Sequence, residues 1–125
     1  MHPLALCLLI FLAGGCGALS RYGMTVACAR LLGTGFPFGT MAVNILGCCL
    51  FGFVYELAAV RALLADAVRV VICVGFMGSF TTLSSLVFDS WALASRPGLL
   101  ALNVAVQAAA GFGALLLGMQ AARLI

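Results

Sequence analysis

The chain has 125 residues, of which 66% are hydrophobic and 7% are charged, and its net charge is +3. A water-soluble domain carries about a quarter charged residues, so this composition excludes a water-soluble fold. The charges are scattered rather than clustered on one basic segment, which excludes a nucleic-acid-binding surface. We therefore predict one all-α integral membrane domain over residues 1–125, in contact with the lipid bilayer.

Four stretches without charged residues define the predicted transmembrane helices. Each is near or above the roughly 20 residues that cross a hydrocarbon core as a helix. Backbone polar groups in lipid must be hydrogen-bonded within the protein, so each stretch is expected to be mostly helical. Turn residues such as Pro37 and Pro97 mark the short connections. The predicted helices run near residues 4–29, 38–60, 67–94 and 98–122.

The first predicted helix could be mistaken for a signal peptide. It lacks a basic start, and its apolar run continues beyond the usual length, so we expect it to be retained. Arg21 lies towards its end. We expect a structural role for Arg21, either by extending its charged group towards the membrane surface or by capping a neighbour. The alternative is a contact with an ion.

The second and fourth predicted helices each carry one polar face. Thr40, Asn44 and Gly47 are spaced at i, i+4 and i+7, and Asn103 and Gln107 are one turn apart. An amide in lipid must find a partner or a wet cavity, which is typical of a functional site. A helix–helix hydrogen bond is the alternative explanation for each amide.

The third predicted helix contains the segment GFMGSFTTLSSL at residues 75–86. Glycine destabilises a helix interior by about 1 kcal/mol, and hydroxyl side chains compete for backbone hydrogen bonds. The segment therefore predicts a broken helix, in which Gly78 is expected to need dihedral angles that only glycine adopts. Broken membrane helices line cavities or bind ions through carbonyl oxygens. The alternative is close helix packing through small residues.

The three polar faces are rich in N–H and O–H donors, and no acidic residue lies deep within them. Asp89, which shares a face with Thr82 and Ser85, is expected near the membrane boundary. A donor-lined path without acids suits a small anion better than a cation. The six cysteines form no CxxC pair, so neither a metal cluster nor a disulfide is expected. No nucleophile–base set indicates an enzyme.

The arginines are divided equally between the two sides of the predicted bundle. Because arginine-rich loops stay in the cytoplasm, an equal division gives no orientation bias. The pattern favours insertion in both orientations, although weaker signals could still set a single one. One side holds Arg61, Arg69 and Arg123, and the other holds Arg21, Arg30 and Arg96.

Several segments resemble, in order, motifs of the Fluc (CrcB) fluoride channel family. They are GGCGALSRY at residues 14–22, GTMAVNILG at 39–47, GFMGSFTTLSSL at 75–86, and the fourth-helix stretch 103–111. Together they cover the chain at the length of that family. The ordered set is far more specific than any one of the motifs.

The resemblance implies an antiparallel, dual-topology homodimer in the inner (plasma) membrane. Its two narrow pores would let fluoride leave the cytoplasm passively and so protect against fluoride toxicity. The resemblance implies that Asn44 hydrogen-bonds fluoride. It also implies that the carbonyl oxygens of Gly78 and Thr81 hold a structural sodium ion that is not transported, a ligand type that suits a hard cation. The polar neighbours of Asn44 would be Thr82, Ser85, Asn103 and Gln107.

One departure from the family concerns its TTFSTF segment, whose two phenylalanines line the pore. The corresponding residues here are Leu83 and Leu86. An aromatic edge is electropositive and can approach an anion, whereas leucine offers no such edge. Phe80 and Phe88 are close in sequence but are expected on different faces. We therefore expect altered fluoride sites and a slow pore.

Two alternative functions remain open. The leucines at the pore positions would suit a non-conducting paralogue, or one that pairs with a different protomer. A small multidrug exporter also has four helices and dual topology. Such an exporter needs an acidic residue in its first helix, and residues 3–29 contain none.

Overall fold

The computed structural model describes residues 2–125 and contains no strand within that range. Four helices are long and apolar enough to cross a membrane. The all-α class and the number of spans are therefore as the sequence predicts. We name the helices α1 (Pro3–Leu32), α2 (Phe38–Val60), α3 (Asp66–Ala92) and α4 (Pro97–Arg123).

The helix ends differ from the predicted ones by one to three residues at most positions, and α2 has the predicted bounds. The largest difference is at the end of α1, which continues to Leu32 and has Arg30 in its last turn. A positive charge there interacts favourably with the helix dipole, so this arginine does not end the helix. Gly33 ends it, with a φ of 82°, a left-handed conformation that glycine adopts readily.

Two segments widen into π-helical turns, Glu56–Val60 at the end of α2 and Val71–Met77 within α3. The N–H of Arg61 donates to the Glu56 carbonyl at 2.9 Å, a bond across five residues. Such turns are frequent at functional sites. In α3 the wide turns come directly before the glycine and hydroxyl segment.

Helix α3 is interrupted at Thr81 and Thr82, whose backbones are extended. Thr81 has φ −80° and ψ 160°, and Thr82 has φ −154° and ψ 115°. Helical structure resumes at Leu83. Gly78 has φ −60° and ψ −29°, which is ordinary helical backbone. The expectation that Gly78 needs glycine-only dihedrals is therefore wrong, because the change of direction occurs three residues later.

Glycines bring α2 and α4 into close contact. A Cβ atom added to Gly118 would lie 1.9 Å from the Cys49 carbonyl oxygen, and one added to Gly52 would lie 2.1 Å from that of Leu115. Helices in lipid associate through close packing, since their apolar side chains contact apolar surroundings whether or not they pair. Small residues on both helices therefore hold this pair together.

Helix α1 packs against the first half of α3 in the same way. A Cβ atom on Gly17 would lie 2.2 Å from the Phe76 carbonyl oxygen. Gly17 is the one buried residue of α1, and large side chains such as Phe11 and Leu19 are 75% and 72% exposed. The remaining surface of α1 is thus available to lipid or to another membrane protein.

An ion pair joins the ends of α2 and α4. Glu56 is 2% exposed, and Arg123 donates to its two carboxylate oxygens at 2.9 and 3.3 Å. Arg61 donates to the Ala122 carbonyl oxygen at 2.7 Å. Two of the three arginines on this side of the bundle, Arg61 and Arg123, therefore form hydrogen bonds between the ends of α2 and α4.

Candidate functional site

The interruption in α3 is hydrogen-bonded by Asn44 of α2. The Thr82 N–H donates to Asn44 Oδ1 at 2.8 Å, and Asn44 Nδ2 donates to the Thr82 carbonyl oxygen at 3.1 Å. A backbone N–H can only donate and a carbonyl can only accept, so this pair fixes which end of the Asn44 amide is which. The side chain replaces helical hydrogen bonds that the extended backbone has lost.

At the same interruption, two backbone N–H groups of α3 donate to side chains instead of to carbonyl oxygens of the helix. In a continuous helix the Thr82 N–H would donate to the Gly78 carbonyl, but here it donates to Asn44. The Ser85 N–H would donate to the Thr81 carbonyl, but here it donates to Thr82 Oγ1 at 3.2 Å. The carbonyl oxygens of Gly78 and Thr81 therefore lose their helical donors.

A row of amide side chains leads away from Asn44 through α4. Asn44 Nδ2 also donates to Gln107 Oε1 at 2.7 Å, and Gln107 Nε2 donates to Asn103 Oδ1 at 2.8 Å. Asn103 Nδ2 then donates to Ser90 Oγ at 3.0 Å, and Ser90 Oγ donates to the Leu86 carbonyl oxygen at 2.7 Å. The five groups form one chain of hydrogen bonds that runs in a single direction.

The hydrogen bonds decide which amide still has a donor to offer. Asn44 Nδ2 has two hydrogens, and both are used, on Thr82 and on Gln107. Gln107 Nε2 uses one hydrogen on Asn103 within residues 2–125 and keeps its second. Gln107 lines the adjoining cavity, whereas Asn103 is fully buried. In this arrangement Gln107, and not Asn44, has the spare N–H beside the cavity.

Hydroxyl groups cluster at the start of the second half of α3. Thr82 Oγ1 accepts from the Ser85 N–H, which makes Thr82 the N-cap of this helical segment. Thr82 Oγ1 also donates to Ser85 Oγ at 3.0 Å and lies 3.2 Å from Ser84 Oγ. The structure thus brings Thr82 and Ser85 together, as their spacing predicts.

A cavity of about 640 Å³ lies beside this cluster, open between α2, α3 and α4. Leu83 is 75% exposed, and Phe80 is 2% exposed and stacks on Phe76. No phenylalanine of the segment therefore replaces the leucines at the cavity wall. Ser85 and Asn103 do not line the cavity. The predicted site residues that line it are Asn44, Gly78, Thr81, Thr82, Leu83, Leu86 and Gln107.

The acid of α3 pairs with the polar face of α2. Thr40 Oγ1 donates to Asp89 Oδ2 at 2.6 Å. Both residues line a second cavity of about 180 Å³ beside the 33–37 connection. Asp89 therefore lies towards the end of the bundle, near the start of α2, as the sequence predicts. Its partnership with Thr40 was not predicted.

Arg21 is half-buried, and among residues 2–125 no side-chain hydrogen bond or salt bridge involves it, so its structural role stays a prediction. Sequence reasoning missed Ser90 and the Glu56–Arg123 pair. Ser90 lies one residue after Asp89 in a helical stretch with several other serines, and nothing in its spacing points to Asn103. Partners on separate helices become visible only when the helices are packed.

The sequence matches a known protein family over most of its length. The model of the CrcB-like (Camphor Resistance, CrcB) family matches residues 8–119. The chain belongs to this family. It is therefore a multi-pass membrane protein of a family of ion channels, and not an enzyme, as the sequence predicts.

Individual relatives of the CrcB-like family carry a more specific name. A protein of Solidesulfovibrio magneticus is 47% identical over 118 residues, which cover 93% of this chain and 94% of the relative. One of Nitratidesulfovibrio vulgaris is 41% identical over 119 residues, covering 94% and 96%. One of Nitrosococcus oceani is 46% identical over 81 residues, covering 65% of each. All three are named fluoride-specific ion channel FluC.

Proposed function

We propose that this protein is a fluoride-specific channel that lets fluoride leave the cytoplasm passively across the inner membrane. One observation carries the proposal within the CrcB-like family: amides from α2 and α4 meet the interrupted backbone of α3 beside a cavity. This cluster contains hydrogen-bond donors and no ionised group. Such a lining favours a small anion over a cation.

Fluoride is small and strongly hydrated, so a narrow path must replace its water with well-placed donors. Gln107 offers its spare N–H beside the cavity, and the hydroxyl of Thr82, which lines the cavity, can turn from Ser85 towards an anion. Asn44 can donate to fluoride only when it releases Thr82 or Gln107. The fluoride contact proposed for Asn44 therefore includes an exchange of one hydrogen bond for another.

A structural sodium ion would be held by the carbonyl oxygens of Gly78 and Thr81. The donor set fits, since both carbonyls have lost the amides that a continuous helix would supply. Neutral oxygens are the ligands that hard cations accept. Bound there, sodium would lie between the two broken α3 helices of the dimer and would not itself be transported.

The functional unit would be an antiparallel homodimer formed by insertion in both orientations. Three observations support this: the equal division of the arginines, the apolar exposed surface of α1, and the open side of the cavity. Two lysines added after Arg123 should bias insertion and prevent self-pairing, and an oppositely biased copy should restore pairing. A biased form that assembles and conducts alone would exclude dual topology.

A non-conducting paralogue is the one alternative with an observation in its favour. Leu83 and Leu86 stand at the cavity wall, where the family resemblance leads us to expect phenylalanines. A multidrug exporter has no such support, because α1 contains no acidic residue. The two remaining hypotheses differ in one measurable property, which is fluoride flux.

Fluoride efflux from liposomes containing the purified protein tests the proposal directly. We expect fluoride to leave rapidly when an ionophore balances the charge, and chloride to be retained. Protein-free liposomes give the background rate. Efflux no faster than that background, from a correctly assembled protein, would favour the non-conducting paralogue. Equal efflux of chloride would refute fluoride specificity.

A further inference from the structure

Ser90 ends the chain of hydrogen bonds that begins at the α3 interruption, and it is absent from the motifs that led to the site. It lies in the second half of α3 and is 9% exposed. Its Oγ accepts from Asn103 Nδ2 at 3.0 Å and donates to the Leu86 carbonyl oxygen at 2.7 Å. It touches none of the residues at the interruption by a hydrogen bond.

The direction of the hydrogen-bond chain is set at both of its ends. At one end the Thr82 backbone fixes the Asn44 amide, because a carbonyl cannot donate and an N–H cannot accept. At the other end the Leu86 carbonyl takes the single hydrogen of Ser90, so Ser90 Oγ can only accept from Asn103. The two ends demand the same orientation of the amides between them.

That orientation decides what Gln107 presents to the cavity. With its Oε1 held by Asn44 and one Nε2 hydrogen held by Asn103, Gln107 keeps an N–H beside the cavity. In the reversed orientation its Nε2 would face Asn44 Nδ2, donor against donor, and its oxygen would be the atom beside the cavity. An oxygen there would repel an anion, and an N–H attracts one.

The geometry points to Ser90 as a positioning residue for anion passage. Through Asn103 it holds the Gln107 amide in the orientation that offers an N–H to the cavity and an oxygen to Asn44. Without the hydroxyl, Asn103 Nδ2 would lose its acceptor at a position that is 0% exposed. An unpaired buried donor is unfavourable, so without Ser90 the orientation of Asn103 and Gln107 would be held from the Asn44 end alone and less firmly.

This inference rests on the proposed fluoride pathway, and fluoride efflux from liposomes at matched protein density tests it. Ser90→Ala should lower the initial rate roughly three- to tenfold, the loss expected when one hydrogen bond at the barrier is removed. Ser90→Thr, which keeps the hydroxyl, should retain most of the rate. Ser95→Ala, in the exposed connection before α4, is the matched control and should conduct as the native protein does.

A double-mutant cycle separates positioning from a general structural effect. Gln107→Met removes the amide through which Ser90 is argued to act. In that background Ser90→Ala should cause no further loss of flux, since the chain is already cut. An equal fractional loss in both backgrounds would overturn the positioning role, and so would native flux in Ser90→Ala.

The orientation of the amides can be measured without any flux. In a ¹⁵N–¹H spectrum, the side-chain signal of Gln107 is the one missing from Gln107→Met. Ser90→Ala should shift this signal and that of Asn44, whereas Ser95→Ala should leave both in place. Unshifted signals would overturn the inference even in a conducting channel. If Ser90→Ala shifts these signals but the native protein does not conduct fluoride, the proposed function would be overturned instead.

Discussion

Asn44 and Thr82 exchange two hydrogen bonds, 2.8 Å from the Thr82 N–H and 3.1 Å to its carbonyl oxygen. One side chain of α2 thus satisfies both backbone groups of the residue at which α3 is extended. In lipid no water is present to hydrogen-bond these two backbone groups, so the interruption depends on the Asn44 amide. The remaining Asn44 hydrogen ties the same point to Gln107 of α4.

Asn44→Asp tests the donor role of this amide. A carboxylate keeps the acceptor for the Thr82 N–H but loses both donors, and it adds a negative charge beside the path. We expect fluoride efflux to fall by more than a hundredfold, since the loss of a donor to a charged partner, about 1.5–3 kcal/mol, is joined by charge repulsion. Undiminished efflux at matched protein density would exclude Asn44 from the pathway. Size-exclusion chromatography checks that assembly is retained.

Gly47→Ala should be far more damaging than Gly78→Ala. A Cβ atom on Gly47 would lie 2.1 Å from Thr81 Cγ2, so the Thr81 side chain must leave its place and lose its hydrogen bond to the Met77 carbonyl, or one of the two helices must move. On Gly78 the nearest atom would be 3.7 Å away, which is ordinary contact. Overpacking typically costs about 1–3 kcal/mol. Thermal unfolding in detergent should show a clear loss for Gly47→Ala and little change for Gly78→Ala. Equal tolerance would mean that the helices are less closely packed than described.

Leu83→Phe together with Leu86→Phe should raise the fluoride rate. Leu83 is 75% exposed within the protomer and both residues line the cavity, so there is room for larger rings. An aromatic ring offers its electropositive edge to an anion. The measurement is initial efflux relative to the native protein. Val87→Phe, at an exposed position beyond the cavity lining, is the control for added aromatic bulk. An unchanged or lower rate in a well-folded double variant would count against a slow leucine-lined pore.

Sodium should stabilise the protein, because the proposed ligands are carbonyl oxygens that the interruption has exposed. Unfolding temperature should rise when sodium replaces a large organic cation at constant ionic strength. Thr81→Ala should keep this response, since its backbone and not its hydroxyl supplies the ligand. The hydroxyl donates to the Met77 carbonyl at 2.9 Å and would be lost at a small cost. A stability that is independent of sodium would refute the site.

Removal of Arg123 should destabilise the bundle more than removal of Arg69. Arg123 pairs with Glu56, which is 2% exposed, whereas Arg69 pairs with Asp66, whose side chain is 93% exposed. A buried carboxylate left without its partner is strongly unfavourable, and exposed pairs contribute little. Thermal unfolding of Arg123→Ala and Arg69→Ala compares the two. Similar unfolding temperatures would show that Glu56 finds another partner, such as Arg61.

Much of the fold follows from the sequence because the membrane imposes one strong condition. Apolar stretches of about 20 residues must be helical there, so the four spans could be predicted within a few residues. The polar faces could be predicted as well, because side chains at i and i+4 share a face whatever the helix packs against. The motif at residues 75–86 placed the interruption near the correct point, although it assigned the unusual backbone to Gly78 instead of Thr81 and Thr82.

Only the packed helices decided which polar groups meet. No spacing rule links Asn44 to Thr82, Thr40 to Asp89, or Ser90 to Asn103, since each of these pairs joins two helices. Their relative height and rotation depend on glycine contacts such as Gly118 against Cys49. The sequence alone determined a donor-rich membrane protein of a recognisable family. The tertiary structure decided that both Nδ2 hydrogens of Asn44 are hydrogen-bonded and that the spare N–H beside the cavity belongs to Gln107. The physical reason is that these pairings depend on which side chains the packed helices bring within hydrogen-bonding distance.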